Sequence, residues 1–158
     1  MMEKLISLID INFGKGYSSA YFEKGELKSE YVFLSNEDQS AYLIFSEAKN
    51  SPYPNIDTTN SYVLNLAVVD KNVQGEGKGS ALLNVFFERY SSHDIYIPLW
   101  IYADSDKLMR FFIKNGAELL QSFNEYWKDD SLAKGYECLQ CGAPPCLCRM
   151  DLYVIKAR

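Results

Sequence analysis

The sequence predicts an α/β (α+β) fold in which strands and helices share one core. Residues 62–69 form an apolar, β-branched run of the length that a buried strand needs. A glycine-rich turn follows, and residues 81–90 then repeat their apolar side chains at helical spacing. Another strand-like run at residues 95–102 is again followed by a helix-like segment. This succession favours a mixed fold over an all-helical or all-strand one.

The other segments are assigned from spacing and turn chemistry. Partial alternation predicts a strand at residues 4–13, and residues 17–28 fit either a short helix or a hairpin. Pro98 predicts a bulge or a sheet edge. Residues 104–106 supply capping side chains for a helix at residues 107–114. Further strands are expected at residues 31–34, 41–45, 117–123 and 151–157, while residues 124–150 show no clear secondary structure.

Length and composition favour one globular domain spanning residues 1–158. The chain is 47% hydrophobic and 15% aromatic, which is enough for a sizeable core and argues against disorder. The apolar run at residues 5–9 is too short for a signal peptide or a membrane span. We therefore expect a cytoplasmic protein without a membrane partner.

The charge pattern bears on the partners. The formal net charge is −5 and no basic run occurs, so binding to nucleic acid is disfavoured. An acidic surface suits a cationic substrate such as an amine, although it also suits any soluble protein. The oligomeric state is open, and a homodimer is one alternative.

The turn after the first buried strand has the chemistry of an anion site. Glycines at Gly75, Gly77 and Gly79 remove Cβ atoms that would keep a ligand from the backbone. No Ser, Thr or Asp directly precedes them to cap the helix, so the first helical amides are available to a phosphate or pyrophosphate. The alternative is an ordinary glycine turn before a packed helix.

Two common phosphate motifs do not fit this turn. A P-loop requires a glycine where Asn72 stands and a Ser or Thr where Gly79 follows Lys78. A dinucleotide fingerprint requires a third glycine where Ser80 stands. The pattern [QR]-x-x-G-x-[GA] does fit, with an L-x-V strand before it and two leucines after it. The residues of this match are Gln74, Gly77, Gly79, Leu66, Ala67, Val68, Leu82 and Leu83.

This combination closely resembles the acetyl-CoA-binding motif of the GNAT family of acyl-CoA N-acyltransferases. The resemblance is most specific over residues 62–123. It implies a single GNAT-like domain with a mixed, mainly antiparallel sheet flanked by helices, and a glycine turn between the fourth strand and the third helix. The Cys-rich segment, residues 124–150, is then an insertion between the last two strands.

The resemblance also implies how acetyl-CoA, the co-substrate, is held. Leu66, Ala67 and Val68 correspond to the strand whose backbone binds pantetheine. Asp104 stands where members often carry Asn near the cofactor, although a helix cap is the alternative. The pyrophosphate is assigned to the turn, namely Gln74, Gly75, Glu76, Gly77, Lys78, Gly79 and Ser80.

The implied activity is N-acetyltransfer to a primary amine of a small molecule or protein by direct attack, with a backbone N–H near Val68 for the oxyanion. The catalytic residues stay unknown. Phe112 stands where members carry the tyrosine that protonates the thiolate, and Tyr62 stands where some carry a glutamate base. The alternatives for proton transfer are bound water or the side chains of Glu47, Asp57, Tyr102, Tyr126 or another phenol. A non-catalytic acyl-CoA-binding module and a zinc-organised interaction protein are the competing hypotheses.

All four cysteines fall within the insertion, as C-x-x-C-G and C-x-C. Such clustering in an intracellular protein favours a structural zinc site, and the glycine lets amides point at the thiolates. Disulfides and free thiols are the alternatives. The predicted zinc ligands are Cys138, Cys141, Cys146 and Cys148.

Overall fold

The computed structural model describes residues 2–53, 56–102 and 105–158. The α-helices in these ranges are α1 (Met2–Phe13), α2 (Lys78–Arg89), α3 (Asp106–Lys114) and α4 (Lys128–Lys134). The strands are β1 (Phe22–Glu23), β2 (Glu26–Leu27), β3 (Val32–Ser35), β4 (Ala41–Glu47), β5 (Ser61–Val69), β6 (Asp94–Ile101), β7 (Glu118–Phe123) and β8 (Arg149–Ile155). None of the helices described is long and apolar enough to cross a membrane.

Six strands form one mixed sheet in the order β3-β4-β5-β6-β8-β7. The β5–β6 pair is parallel and every other pair is antiparallel. This confirms the predicted mixed, mainly antiparallel sheet flanked by helices, with the cysteine-rich insertion between β7 and β8. The glycine turn leads to α2 and not to a third helix, because α1 is the one α-helix before it in the described ranges.

Helices cover both faces of the sheet. On one face, α2 and Phe112 of α3 pack against β4, β5, β6 and β8. On the other face, α1 packs against β4 and β5, with the β1–β2 hairpin beside it. Trp127 and Tyr126 of the insertion pack against Met150, Leu152 and Val154 of β8 on this second face. The insertion and α1 are therefore available to form one wall together.

The prediction of a strand at residues 4–13 is wrong, because this segment is α1. Its apolar residues satisfy helical spacing as well as partial alternation. Leu5, Leu8 and Ile9 lie on one helical face and are buried against the sheet. Tertiary packing of that face selects the helix.

Three further expectations are resolved. Residues 17–28 form a 3₁₀-helix, Tyr17–Ala20, and then the β1–β2 hairpin, so both alternatives hold in part. The insertion contains α4, which contradicts the expectation of no secondary structure at residues 124–150. Pro98 lies in an interior strand whose register with β8 runs without a shift, so neither a bulge nor an outer sheet edge applies.

The sheet opens between β5 and β6. Their pairing ends at Val63 and Tyr96, after which β5 continues with β4 and β6 with β8. The register of β4 against β5 shifts near the same point, because Ile44 pairs with Leu66 and Phe45 with Leu64, which leaves Asn65 as an extra residue. Beyond Tyr96, the edge of β6 that faces β5 therefore has no partner strand, and Pro98 lies in this stretch of β6. This opening creates the candidate site.

Candidate functional site

The opening between β5 and β6 is a cleft of about 710 Å³. Its walls include residues 64–69 of β5 and 97–100 of β6. The glycine turn borders it where β5 ends. One side is completed by α2 and α3, and the other by the end of α1 and the insertion. A cleft of this volume is in the range of small-molecule binding sites.

The start of α2 is exposed to the cleft without a side-chain cap. Gly77 occupies the N-cap position in the left-handed region, with φ +79°, and no side chain there accepts from the first amides. The unpaired N–H groups and the positive end of the helix dipole meet at this point. The arrangement can therefore bind an anion.

Gly79 serves a different purpose, which is close packing of the helix on the strand. A Cβ atom on Gly79 would lie 2.9 Å from Cγ2 of Val69. The missing side chain lets the first turn of α2 approach β5, and both elements then contribute to the same cleft.

Side chains hold the turn from two directions. The Gln74 amide donates to Oδ1 of Asn12 at 3.1 Å and to the Val69 carbonyl at 3.0 Å. The Lys78 ammonium forms an ion pair with Asp38. The hydrogen bond from Lys78, together with one from Ser40, lowers the pKa of the Asp38 carboxyl to about 2. The ion pair therefore holds the Lys78 side chain, at the first residue of α2, in a defined position.

Charge is distributed unevenly around the cleft. The cations of the lining lie on α2 and α3, and the one carboxylate among its described residues, Glu137, comes from the insertion on the opposite side. One side therefore favours anions and the other favours a cation. The cationic residues are Lys78, Lys107, Arg110 and Lys114.

Aromatic rings form the side opposite α2 and α3. The rings of Trp100 and Tyr102 stack at 4.1 Å between centroids, Phe13 contacts Trp100 at 5.8 Å, and Tyr17 contacts Tyr136 at 5.0 Å. All of these residues line the cleft. The wall is thus mostly apolar, with phenol groups set into it.

Two of the phenols have defined hydrogen-bond partners. The Tyr17 hydroxyl lies 3.4 Å from that of Tyr21, which donates to the Asn65 carbonyl at 3.4 Å. Burial raises the pKa of Tyr17 to about 12. The Tyr136 hydroxyl donates to Oδ2 of Asp130 at 2.6 Å, and burial with this bond raises its pKa as well. Both phenols are neutral at physiological pH.

Most of the positions considered for proton transfer lie away from the cleft lining. Tyr62 packs against Phe45, Tyr90 and His93, and Glu47 pairs with Lys49. Glu47, Asp57 and Tyr126 are not among the described residues of the lining, whereas Tyr102 is. Phe112 borders the cleft with only 2% of its surface exposed and packs on Phe87, as expected of a core residue.

The structure brings all four cysteine sulfurs together. Their Sγ atoms lie within 4.8 Å of one another, with Cys138 and Cys148 at 3.7 Å and Cys141 and Cys148 at 3.4 Å. None is bonded to another. Burial raises the pKa of the Cys146 thiol and raises that of Cys148 to about 11. Such a group has the donor set of a tetrahedral thiolate metal site.

Comparison with solved structures gives several chains with this architecture. The ribosomal-protein-S18-alanine N-acetyltransferase from Escherichia coli superposes with a TM-score of 0.61 at 10% identity, covering 98% of this chain and 86% of the other. The IAA acetyltransferase from Bacillus cereus ATCC 14579 gives 0.65 at 11% identity, with coverages of 94% and 89%. Arabidopsis thaliana NAA60, in complex with a bisubstrate analogue, gives 0.65 at 13% identity, with coverages of 99% and 94%.

The chain has the GNAT fold. No family model and no curated protein sequence matches it. Since each of these identities is 13% or less, the likeness concerns the fold alone.

Within this GNAT fold, nearly all the residues predicted to bind the cofactor border one cleft. Glu76 is described but does not line it, and Asp104 lies outside the described residues. The residues of that prediction that line the cleft are Leu66, Ala67, Val68, Gln74, Gly75, Gly77, Lys78, Gly79 and Ser80.

Sequence reasoning missed several other residues that line the cleft. Asn12 and Phe13 lie in the segment wrongly assigned to a strand, and Glu137 lies in the insertion. The cationic face of α3 could have been predicted, because Lys107, Arg110 and Lys114 recur at the helical spacing i, i+3 and i+7.

Proposed function

We propose that this protein is an acetyl-CoA-dependent N-acetyltransferase that acetylates a primary amine of a small molecule or a protein. The observation that supports this most is the polarity of the cleft. An uncapped helix start and four cations lie on one side, and Glu137 with several phenols lies on the other. Such a cleft offers a place for an anionic donor and a place for a cationic acceptor.

The donor is assigned to the α2–α3 side. The pyrophosphate lies at the turn formed by residues 74–80, where amides and the helix dipole favour it. The backbone of residues 66–68 hydrogen-bonds the pantetheine arm, and a backbone N–H near Val68 binds the oxyanion. Lys107, Arg110 and Lys114 attract the phosphates. A contribution of Asp104 to this site stays a prediction.

The acceptor approaches from the α1 and insertion side. Its unprotonated nitrogen attacks the thioester carbonyl carbon, so a C–N bond forms and the C–S bond then breaks. The nitrogen releases one proton, and the departing thiolate takes up one proton. Tyr17 is the candidate donor to the thiolate, because its neutral phenol lines the cleft and is linked through Tyr21 to Asn65, where the strands part. Tyr102 is the second candidate.

A non-catalytic acyl-CoA-binding module is the competing function. The specific observation in its favour is Phe112, which is a buried ring where the resemblance calls for a catalytic phenol. Such a protein binds the donor without turning it over.

One pair of measurements separates these functions. Calorimetry with acetyl-CoA measures donor binding, and thiol release over a panel of small amines and peptides with free N-termini measures transfer. We expect micromolar binding and amine-dependent thiol release, with the acetylated product identified by mass spectrometry. Binding without release for every amine would favour the non-catalytic module, and no binding would exclude both functions.

A further inference from the structure

We propose that Cys138, Cys141, Cys146 and Cys148 bind one zinc ion, and that this ion fixes the wall of the cleft opposite α2 and α3. The zinc site itself is independent of the acetyltransferase function. Only the description of this wall as the acceptor side rests on that function.

The sulfur positions fit a tetrahedral zinc ion. Zn–S bonds of about 2.3 Å place the sulfurs of a Cys₄ site about 3.8 Å apart. Two sulfur pairs lie at 3.7 Å and 3.4 Å, and all four sulfurs lie within 4.8 Å of one another. Small rotations about the Cα–Cβ bonds therefore suffice to complete the coordination.

The backbone around the cysteines is arranged for thiolates. The Cys141 N–H donates to Sγ of Cys138 at 3.4 Å, and the Leu147 N–H donates to Sγ of Cys141 at 3.4 Å. Cys138 and Gly142 exchange backbone hydrogen bonds of 2.9 Å and 2.7 Å, which closes the turn between the first two ligands. Amide donors to sulfur stabilise its anionic form, which is the form that binds a metal.

The site is closed on most sides. Cys138, Cys146 and Cys148 are buried against Trp100 and Trp127, while Cys141 is exposed and gives a metal access from solvent. Four thiolates leave no open coordination position, so the zinc ion has a structural role.

The cluster is joined directly to the wall of the cleft. Cys138 and Cys146 line the cleft themselves, and Glu137 precedes the first ligand. The Glu137 N–H donates to the Lys15 carbonyl at 2.8 Å, and the Leu139 N–H donates to the Phe13 carbonyl at 3.2 Å. The first ligand is thus flanked on both sides by backbone bonds to Phe13, the last residue of α1, and to Lys15 just beyond it.

The second half of the cluster is bonded to α4 and to the residues just before that helix. The Cys146 N–H donates to Oγ of the fully buried Ser131 at 2.9 Å. The Cys148 carbonyl accepts from the Tyr126 N–H at 3.1 Å. A single ion at the sulfurs therefore connects α1, α4 and the start of β8, and offsets the entropy cost of ordering a long insertion.

The first test is metal content. Protein purified without added metal should contain about one equivalent of zinc by elemental analysis, and cobalt substitution should give the visible absorption of a tetrahedral thiolate site. Cys141→Ser/Cys148→Ser should lose the metal. Leu139→Ser, at an exposed position in the same turn, is the matched control and should keep it. Less than about a tenth of an equivalent in the unmodified protein, with all four cysteines found as thiols or disulfides, would overturn the proposal.

The second test concerns the wall. After chelation, hydrogen exchange should speed up at least tenfold at the amides of Glu137 and Leu139 but not at residues 66–68 of β5, and calorimetric affinity for acetyl-CoA should stay within threefold. Unchanged exchange at both insertion amides would show that the metal does not fix the wall. Neither reading depends on turnover, so failure of the acetyltransferase function would leave the zinc result standing.

Discussion

A Cβ atom on Gly14 would lie 1.8 Å from the carbonyl oxygen of Glu137. The end of α1 and the first residues of the cysteine-rich segment therefore meet backbone to backbone, with no space for any side chain. This contact places Glu137 at the cleft and makes its position depend on two elements far apart in sequence. It also provides a way to displace the wall without touching a cysteine.

Replacing Gly14 with alanine should displace this wall. The new methyl group forces the two backbones apart, so we expect a marked fall in melting temperature and at least a tenfold rise in KM for the amine acceptor. Gly16→Ala is the matched control, because Gly16 also has positive φ while its Cβ would make only an ordinary 3.5 Å contact with Tyr136. Gly16→Ala should lower the free energy of unfolding by about 1 kcal/mol, through backbone strain at positive φ alone. Equal losses in the two variants would show that the close approach is unimportant.

Ser80→Glu should abolish or greatly weaken acetyl-CoA binding. Ser80 is exposed in the first turn of α2 and lines the cleft, so a carboxylate there repels the pyrophosphate. The same carboxylate is favourable for the helix by about 0.3–1 kcal/mol, which should preserve the melting temperature. Ser80→Gln has the same size without the charge and should bind within about threefold of the unmodified protein. Calorimetry that finds equal affinity for both variants would exclude phosphate binding at this turn.

Glu137→Gln should raise KM for a cationic amine while leaving acetyl-CoA affinity unchanged. A carboxylate–ammonium pair near solvent is worth on the order of 1 kcal/mol, which corresponds to about a fivefold change in KM. Glu118→Gln, at an exposed position on β7, is the control for a general change in net charge and should behave as the unmodified protein. An effect of the same size from both variants would remove Glu137 from amine recognition.

Tyr17→Phe should lower kcat by about 100-fold if this phenol protonates the thiolate. Since burial holds the pKa of Tyr17 near 12, the phenol keeps its proton below that pH, and the activity it supports should persist into the alkaline range. Tyr31→Phe is the control, because its ring contacts Tyr21 but does not line the described cleft. An unchanged kcat in Tyr17→Phe would transfer the assignment to Tyr102 or to bound water.

The features that the sequence predicts correctly are those that depend on residues close together in the chain. Gly77 must adopt positive φ, and the absence of a capping side chain before α2 is visible in the same few letters. The spacing of the cysteines likewise anticipates their convergence. The conformation of a short turn depends mainly on its own residues and their neighbours in sequence. The glycine turn and the cysteine cluster could therefore be predicted without knowing how the helices and strands pack.

The features that were missed depend on contacts between distant segments. The residues Leu5, Leu8 and Ile9 are compatible with two periods, and only the sheet against which they pack selects the helix. Tyr17 and Glu137 are separated by most of the chain, and they reach one cleft because Gly14 lets α1 meet the insertion. No spacing rule relates such positions.

The extra residue at Asn65 also changes which residues of β5 face each side of the sheet. Before it, Tyr62 and Leu64 face α2; after it, Ala67 and Val69 face that helix, while Leu66 and Val68 turn toward α1. The core beside α2 therefore receives the even-numbered residues before Asn65 and the odd-numbered residues after it. Deleting Asn65 would restore strict alternation along β5, and every other residue of the strand would keep the face that it has now. A deletion at this bulge is therefore the change of length that β5 tolerates best, and this one strand supplies the hydrophobic cores on both faces of the sheet.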